Sequence, residues 1–299
     1  MANLSFYEFF CGGGMARAGL GEGWTCLFAN DFDAKKGRAY AANWGAAALK
    51  VGDVAKLSTR DLPGAPDLVW ASFPCQDLSL AGVGAGLDGA RSGAFWPFWR
   101  LMRHLGAERR APRAIVLENV CGALTAHGGA DFAAIANAIV AAGYRIGALV
   151  IDAAHFLPQS RPRLFIVAVA ADLVIPAVCL AERPESIWTP PALRAAHERL
   201  AREAANCWLW LSLPSPPQRN QSLANLLDDN LSGAEWHTAA QTQRLVSLMS
   251  PLQRAKLSTA QASGTPQVGA IFRRTVSDTW DLLARRSGLT RTAGYSSSC

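Results

Sequence analysis

Short apolar runs alternate with stretches of helical period over the first 175 residues of the chain. Six of these runs have the length and composition of buried strands and are bounded by turn residues. The segments between them are rich in alanine, as in 131–142, and favour helices. The predicted strands are 4–10, 25–29, 67–71, 114–117, 144–151 and 164–170.

Strands that alternate with helices predict an α/β fold with a doubly wound, mostly parallel sheet. Ligands bind such a sheet beyond the carboxyl ends of its strands. After about residue 175 the alternation stops, and prolines and tryptophans become frequent between 184 and 236. We therefore predict a first domain over 1–175 and a second, smaller domain over 176–299.

Composition places the chain among globular proteins, since half of its residues are hydrophobic and 17% are charged. No apolar run reaches the roughly 18 residues of a membrane span, and the N-terminus lacks the basic start of a signal peptide. A cytoplasmic protein is the expectation. The seven cysteines form no CxxC pair, which favours free thiols over a metal site or a disulfide framework. The net charge of +6 favours a polyanionic partner.

A glycine-rich turn follows the first predicted strand, in the segment FFCGGG at residues 9–14. Glycines there allow a ligand to approach the backbone closely. Asp31 ends the second strand about twenty residues later, where a carboxylate can accept hydrogen bonds from a ribose. Asp53 is a candidate acceptor for an adenine amino group. Considered singly, the turn could be structural and each aspartate a cap, but their order favours a nucleoside cofactor.

Reactive side chains follow three other strands. Cys75 lies just past the third strand and is preceded by a proline, and the segment 78–93 behind it contains five glycines, as a closing loop would. Glu118 is delivered by an apolar strand, where a charged group requires partners or a function. Arg161 and Arg163 precede the last strand and could hold a phosphate or orient a carboxylate. A buried structural cysteine is the alternative for Cys75.

The order of these motifs (FxCGGG, an acidic residue, GD, PCQ, ENV and QxRxR) resembles that of the DNA cytosine-5 methyltransferase family, over roughly residues 4–170. The resemblance implies a Rossmann-like S-adenosylmethionine-dependent methyltransferase fold. Residues 1–175 would be its cofactor-binding catalytic domain, and residues 176–299 a smaller, partial C-terminal target-recognition domain with an atypical tail. It also implies double-stranded DNA as the substrate, in a restriction–modification system or as an orphan enzyme, and no metal. The roles that it implies are Cys75 as nucleophile, Glu118 at cytosine N3, Arg161 and Arg163 beside the flipped base, Phe10, Gly12, Gly14, Asp31 and Asp53 at the cofactor, and Gln76 and Ser79 in the loop that closes on DNA.

The C-terminal part departs from the family pattern. Family members return, after target recognition, to a segment that completes the cofactor pocket, and residues 176–299 contain no recognisable counterpart. Three interpretations follow: a truncated or frameshifted product, a chain that needs a second polypeptide, or a divergent tail that performs the same role. The alternative function is an idle module that binds DNA or a partner. An RNA cytosine methyltransferase or an amino-methylating enzyme is disfavoured, since their motifs differ.

Overall fold

An eight-stranded sheet forms the centre of the larger part of the chain. The computed structural model describes residues 3–74, 94–185, 187–223, 226 and 235–264, together with the backbone of 271–276 and 279–284. Strand order across the sheet is β3-β2-β1-β4-β5-β7-β6-β8. The strands are β1 (Leu4–Phe9), β2 (Trp24–Asp31), β3 (Leu49–Val51), β4 (Leu68–Ala71), β5 (Ala114–Val120), β6 (Tyr144–Asp152), β7 (Pro162–Ala170) and β8 (Trp208–Leu209).

Helices connect most of these strands. In the larger part they are α1 (Met15–Leu20), α2 (Ala34–Trp44), α3 (Phe95–Ala107), α4 (Ala130–Ala141), α5 (Pro191–Glu198) and α6 (Arg202–Asn206). Short 3-10 turns lie at Val54–Lys56, Thr59–Asp61, Cys121–Leu124, Ala126–Gly129, Ala153–His155 and Ala177–Cys179. No helix of the described residues is both long and apolar enough to cross a membrane.

The sheet is mostly parallel. Strands β3, β2, β1, β4 and β5 run in one direction, and β8 pairs parallel to β6. Only β7 is antiparallel to its neighbours β5 and β6. These pairings confirm the predicted α/β, doubly wound sheet, and they bring the carboxyl ends of β1, β2, β4 and β5 and the start of β7 to one edge.

One face of the sheet is buried over its central strands. Side chains in register across its strands form apolar rows, of which one is Tyr7, Val69, Ile115, Ala168 and Ile146, all 0% exposed. Helix α3 packs on this face, where the rings of Phe98 and Phe9 lie 5.1 Å apart. This face therefore supplies most of the hydrophobic core.

The opposite face is less well covered over its central strands. Trp70, Val116, Phe165 and Val167 lie on it and are partly exposed, and the rings of Trp70 and Phe165 are in edge contact at 6.0 Å. Glu8 is in register with Trp70 on this face, but it is buried and accepts a hydrogen bond from the start of α1. We call Trp70, Val116, Phe165 and Val167 the open face.

Contacts divide the chain into two compact units, Met1–Arg219 and Asn220–Cys299. The first unit extends beyond residue 175 because Trp188 is buried against Leu149 and Leu211, and because β8 joins the sheet. The second unit contains α7 (Ala239–Ser247), α8 (Pro251–Ala262) and an antiparallel hairpin of β9 (Ile271–Val276) and β10 (Thr279–Ala284). A division of function near residue 175 stays a prediction.

Candidate active site

Glu118 lies near the carboxyl end of β5, with both of its carboxylate oxygens in contact with other groups. Ser72, just past the end of β4, donates a hydrogen bond from Oγ to Oε2 at 2.6 Å. The guanidinium of Arg163 approaches Oε1, with Nε 3.5 Å away. The Glu118 side chain remains 25% exposed. The carboxylate is therefore oriented on two sides and still accessible to a ligand.

Ser72 was not among the predicted site residues. Its hydroxyl also accepts a hydrogen bond from the indole Nε1 of Trp70, at 3.1 Å. The hydroxyl of a serine can donate one bond and accept others, so Trp70 fixes its orientation and leaves its proton for Glu118. The only sequence signal was its place between a strand and the PCQ motif.

The structure treats the two predicted arginines differently. Arg163 is in register with Val120 on β5, which directs it to Glu118. Arg161 precedes β7 and is exposed, and its backbone N–H donates to Asp152 Oδ1 at 2.6 Å. The structure therefore brings Arg163, rather than Arg161, into contact with Glu118.

Asp152 organises the loop between β6 and β7. Besides the Arg161 N–H, it accepts hydrogen bonds from the backbone N–H of Ala154 at 3.0 Å and from the hydroxyl of Ser160 at 2.9 Å. These bonds fix the loop that leads into Arg163. Sequence reasoning missed Asp152, which directly follows the predicted strand 144–151 and belongs to no recognised motif.

Cys75, Gln76 and Ser79 lie outside the described residues. The chain leading to Cys75 is described as far as Pro74, and its path is fixed by a buried asparagine. Asn119, next to Glu118, donates from Nδ2 to the carbonyl of Phe73 at 3.1 Å. The start of the PCQ segment is thus attached to the strand that carries Glu118.

The glycine-rich turn adopts backbone conformations that favour glycine. Phe10, Gly12 and Gly14 have φ of 57°, 54° and 82°. A Cβ on Gly14 would lie 2.2 Å from Nε1 of Trp44, and that Nε1 donates to the carbonyl of Gly13 at 3.1 Å. The close approach of Trp44 therefore requires glycine at position 14.

Asp31 is attached to this turn. Its Oδ2 accepts from the Gly12 N–H at 2.8 Å, and its Oδ1 accepts from the Asp33 N–H at 2.9 Å. Asp31 is 5% exposed, and each carboxylate oxygen can accept a further hydrogen bond. Asp53 lies at the start of a 3-10 turn and accepts from the Ala55 N–H at 2.9 Å. The predicted cofactor residues thus gather around the ends of β1, β2 and β3.

Two other residues near the turn were missed by the sequence analysis. The aromatic ring of Phe32 directly follows Asp31 and is 75% exposed, so it is accessible to a ligand beside the turn. Glu8 lies beneath α1, where its Oε1 accepts from the Ala16 N–H at 3.2 Å. Burial raises the pKa of Glu8 to about 7, since desolvation disfavours the charged carboxylate.

The sequence model of the C-5 cytosine-specific DNA methylase family matches residues 4–288. The chain belongs to this family. Membership accounts for the order of the motifs and for the gathering of Glu118, Arg163 and the segment before Cys75 at one edge of the sheet. It also makes the chain a member of a family of enzymes that transfer a methyl group to C5 of cytosine and take that group from a donor.

Named relatives of this methylase family are similar over part of the chain. The Bacillus subtilis type II methyltransferase M.BsuFI is 33% identical over 174 residues, which are 58% of this chain and 41% of that protein. The Haemophilus parahaemolyticus type II methyltransferase M.HhaI is 27% identical over 177 residues, or 58% of this chain and 52% of that protein. The aligned part is thus about half the length of these relatives. The S. pombe Dnmt2 methyltransferase has a similar structure, with a TM-score of 0.45 and 20% identity over 57% of this chain and 50% of that one.

Proposed function

We propose that this chain methylates C5 of a flipped cytosine in a short duplex DNA sequence, with Cys75 as the nucleophile. The observation that supports this most directly is the Glu118 carboxylate, which Ser72 and Arg163 hold at the sheet edge. The same edge carries the segment that leads to Cys75. An arrangement of this kind matches the chemistry of the family and is one that an idle module would have no need to keep.

The side chains have complementary roles in this reaction. C5 of cytosine is a poor nucleophile, and addition of the Cys75 thiolate to C6 makes C5 electron-rich enough to attack a methyl group. Glu118 binds N3 and neutralises the charge that develops there. Arg163 holds Glu118 in place, and Arg161, which is exposed, faces the DNA. A base removes the C5 proton, and Cys75 is then eliminated.

The cytosine must leave the helix before this chemistry can occur, because its ring cannot be reached inside a duplex. Flipping costs a few kcal/mol. Gln76 and Ser79 belong to the glycine-rich segment after Cys75, and we assign this segment to the contacts with DNA that offset the cost. The recognition of a particular sequence is assigned to residues 176–299.

S-adenosylmethionine is the proposed methyl donor, and it supplies an electrophilic methyl group when bound. The residues around the glycine-rich turn fit a nucleoside of this kind. Gly12 and Gly14 let the ligand approach the turn, Asp31 accepts from the ribose and Asp53 from the adenine amino group. Phe10 and the exposed ring of Phe32 provide surfaces on which the adenine stacks.

A second polypeptide that completes the methyltransferase is part of this proposal. The matched relatives are longer than this chain. For example, the aligned residues make up 58% of this chain but only 41% of M.BsuFI. Such a partner would raise the rate at which the chain methylates DNA without being needed for its fold. Methylation by the chain alone, at a rate unchanged by any partner, would contradict this part of the proposal.

The test of the nucleophile is bisulfite sequencing of DNA from a methylation-free bacterial host that expresses the chain. We expect methylated cytosines within one short sequence. The Cys75→Ser variant should leave that sequence unmethylated, whereas Cys179→Ser, which changes an exposed cysteine, should behave as the wild type. Methylation by the Cys75→Ser variant would remove Cys75 from its role, and soluble wild-type protein without methylation would show that the chain does not act alone.

The test of the cofactor site is the affinity for S-adenosylhomocysteine, measured by calorimetry. Asp31→Ala should weaken binding about thirtyfold, because it removes the ribose acceptor and the bond to Gly12, each worth about 1 kcal/mol. DNA affinity should stay unchanged. Asp33→Ala is the control, since Asp33 caps α2, and its loss should lower stability by about 1 kcal/mol without changing this affinity. Equal affinities for the wild type and Asp31→Ala would contradict the ribose assignment.

A further inference from the structure

Asn30 is a buried polar residue at the point where three segments of the proposed cofactor site meet. It lies on β2 directly before Asp31 and is 1% exposed. Its backbone carbonyl accepts from the Cys11 N–H at 3.0 Å, at the start of the glycine-rich turn. Its backbone thus connects that turn to the end of β2.

The side chain of Asn30 connects β2 to the segment that carries Asp53. Its Nδ2 donates to the carbonyl of Lys50 at 2.8 Å and to the carbonyl of Gly52 at 3.0 Å. Gly52 directly precedes Asp53. A primary amide has two N–H donors, and both of them are used on this one segment.

The segment needs such support because β3 is an edge strand of three residues. Backbone bonds at its two ends, Ala29 N–H to Ala48 O at 2.7 Å and Gly52 N–H to Asp31 O at 2.9 Å, attach it to β2. An edge strand this short has few ladder bonds to keep its position. Two further bonds from the buried Asn30 side chain hold it more firmly than bonds from an exposed side chain would.

We propose that Asn30 is a positioning residue that sets the separation of Asp31 and Asp53, and thereby the affinity and the adenine selectivity of the cofactor site. The inference rests on the proposed function, in which the two carboxylates bind opposite ends of one nucleoside. A displacement of β3 would move Asp53 while leaving Asp31 on the glycine-rich turn. Asn30 would therefore act on the ligand without touching it.

The chemistry of position 30 requires an amide. Aspartate has the same shape, but its ionised carboxylate has no hydrogen-bond donor. At this buried position it would face two carbonyl oxygens, which is unfavourable. Alanine would leave both carbonyls without their donor. We expect Asn30→Ala to weaken S-adenosylhomocysteine binding about tenfold, as two lost hydrogen bonds can account for, and Asn30→Asp to weaken it further.

The experiment is a double-mutant cycle on the full chain, with calorimetric S-adenosylhomocysteine affinity as the readout. If Asn30 acts through Asp53, then Asn30→Ala combined with Asp53→Ala should bind within twofold of Asp53→Ala alone. S-inosylhomocysteine lacks the adenine amino group. The Asn30→Ala substitution should therefore weaken its binding by a smaller factor than it weakens the binding of S-adenosylhomocysteine. DNA affinity, measured by fluorescence anisotropy, should change by less than twofold.

Asn119→Ala is the matched control, because Asn119 is likewise a buried asparagine that donates from Nδ2 to a backbone carbonyl. It supports the segment before Cys75 instead, so it should leave S-adenosylhomocysteine affinity unchanged. If Asn30→Ala does not fold, Asn30→Ser, which keeps one donor, takes its place with the same expectations.

The outcomes separate this inference from the function on which it rests. A wild-type chain that binds no S-adenosylhomocysteine contradicts the proposed cofactor and the inference together. If the wild-type chain binds S-adenosylhomocysteine, two results contradict the inference alone. One is an Asn30→Ala variant with unchanged affinity, and the other is a double variant in which the separate losses caused by Asn30→Ala and Asp53→Ala multiply. Equal losses of DNA affinity and S-adenosylhomocysteine affinity would show that Asn30 supports the fold in general, which also contradicts it.

Discussion

The replacement of Gly14 by alanine tests how tightly the glycine-rich turn is built. Gly14 has φ 82° and ψ 42°, a left-handed conformation that costs a residue with a Cβ about 1–2 kcal/mol. The new Cβ would also lie 2.2 Å and 2.6 Å from two atoms of Trp44 and 3.0 Å from Tyr40, so the indole must move. That movement breaks the Trp44 bond to Gly13, worth about 1 kcal/mol.

Trp44 has a second contact to lose, since the guanidinium of Arg17 lies 4.9 Å from its ring. A cation–π contact of this kind contributes about 0.5–1 kcal/mol at exposed sites. Together with the backbone cost, we expect Gly14→Ala to lower the free energy of unfolding by about 2.5–4 kcal/mol. The displaced turn should also weaken the binding of S-adenosylhomocysteine.

Urea unfolding followed by tryptophan fluorescence measures this loss, and Gly128→Ala separates its two parts. Gly128 is also left-handed, with φ 69° and ψ 16°, but a Cβ there meets nothing within 4 Å. Gly128→Ala should therefore show the backbone cost of about 1–2 kcal/mol alone. Equal losses for the two variants would refute the argument that Trp44 excludes a side chain at position 14.

Two further predictions concern charged residues of the site. Arg163→Gln should lower the single-turnover rate of methyl transfer about tenfold, because it removes the positive charge that lies 3.5 Å from Glu118 Oε1 and attracts that carboxylate. Arg161→Gln should lower DNA affinity instead, and a larger rate loss for Arg161→Gln would contradict the assignment. Burial raises the pKa of Glu8 from 4.5 to about 7. Between these two pH values the folded state binds more protons than the unfolded state, so the stability that Glu8 contributes is complete below pH 4.5 and is lost as the pH rises to 7. The loss is on the order of 3 kcal/mol. Denaturant titrations at several pH values should show it in the wild type and in Glu22→Gln, which changes an exposed glutamate, but not in Glu8→Gln. A Glu8→Gln variant with the same pH dependence as the wild type would show that Glu8 is not the group responsible.

The longer strands could be predicted from the sequence, and the shortest could not. The six apolar runs correspond to β1, β2, β4, β5, β6 and β7, with ends that differ by at most three residues. Strands β3 and β8 have three and two residues, too few for a periodic pattern, and only their pairing with neighbours makes them strands. The direction of β7 had a signal that was not used, because the residues between β6 and β7 are too few for the crossover that a parallel connection requires.

The site was predictable where a motif carried it. Glu118 and Arg163 came from the ENV and QxRxR patterns, and the structure brings them together. Ser72 acts through a contact with Glu118, 46 residues away in sequence, and only the register of the strands reveals such a pair. Asp152 binds residues two to nine positions further along the chain, but no recognised motif marks it. The register of the strands likewise distinguishes Arg161 from Arg163, whose different surroundings depend on where β7 begins.

The open face gives two glutamates of one sheet different access to protons. Glu8 and Glu118 lie on this same side, but α1 separates Glu8 from water, whereas Glu118 is beside Val116 and Phe165, which water reaches. A carboxyl group that shares a proton with a base must recover its starting state after each turnover. Because the Glu118 side chain is 25% exposed, bulk water can reach this carboxylate directly, and the proposed reaction would need no chain of proton carriers through the protein.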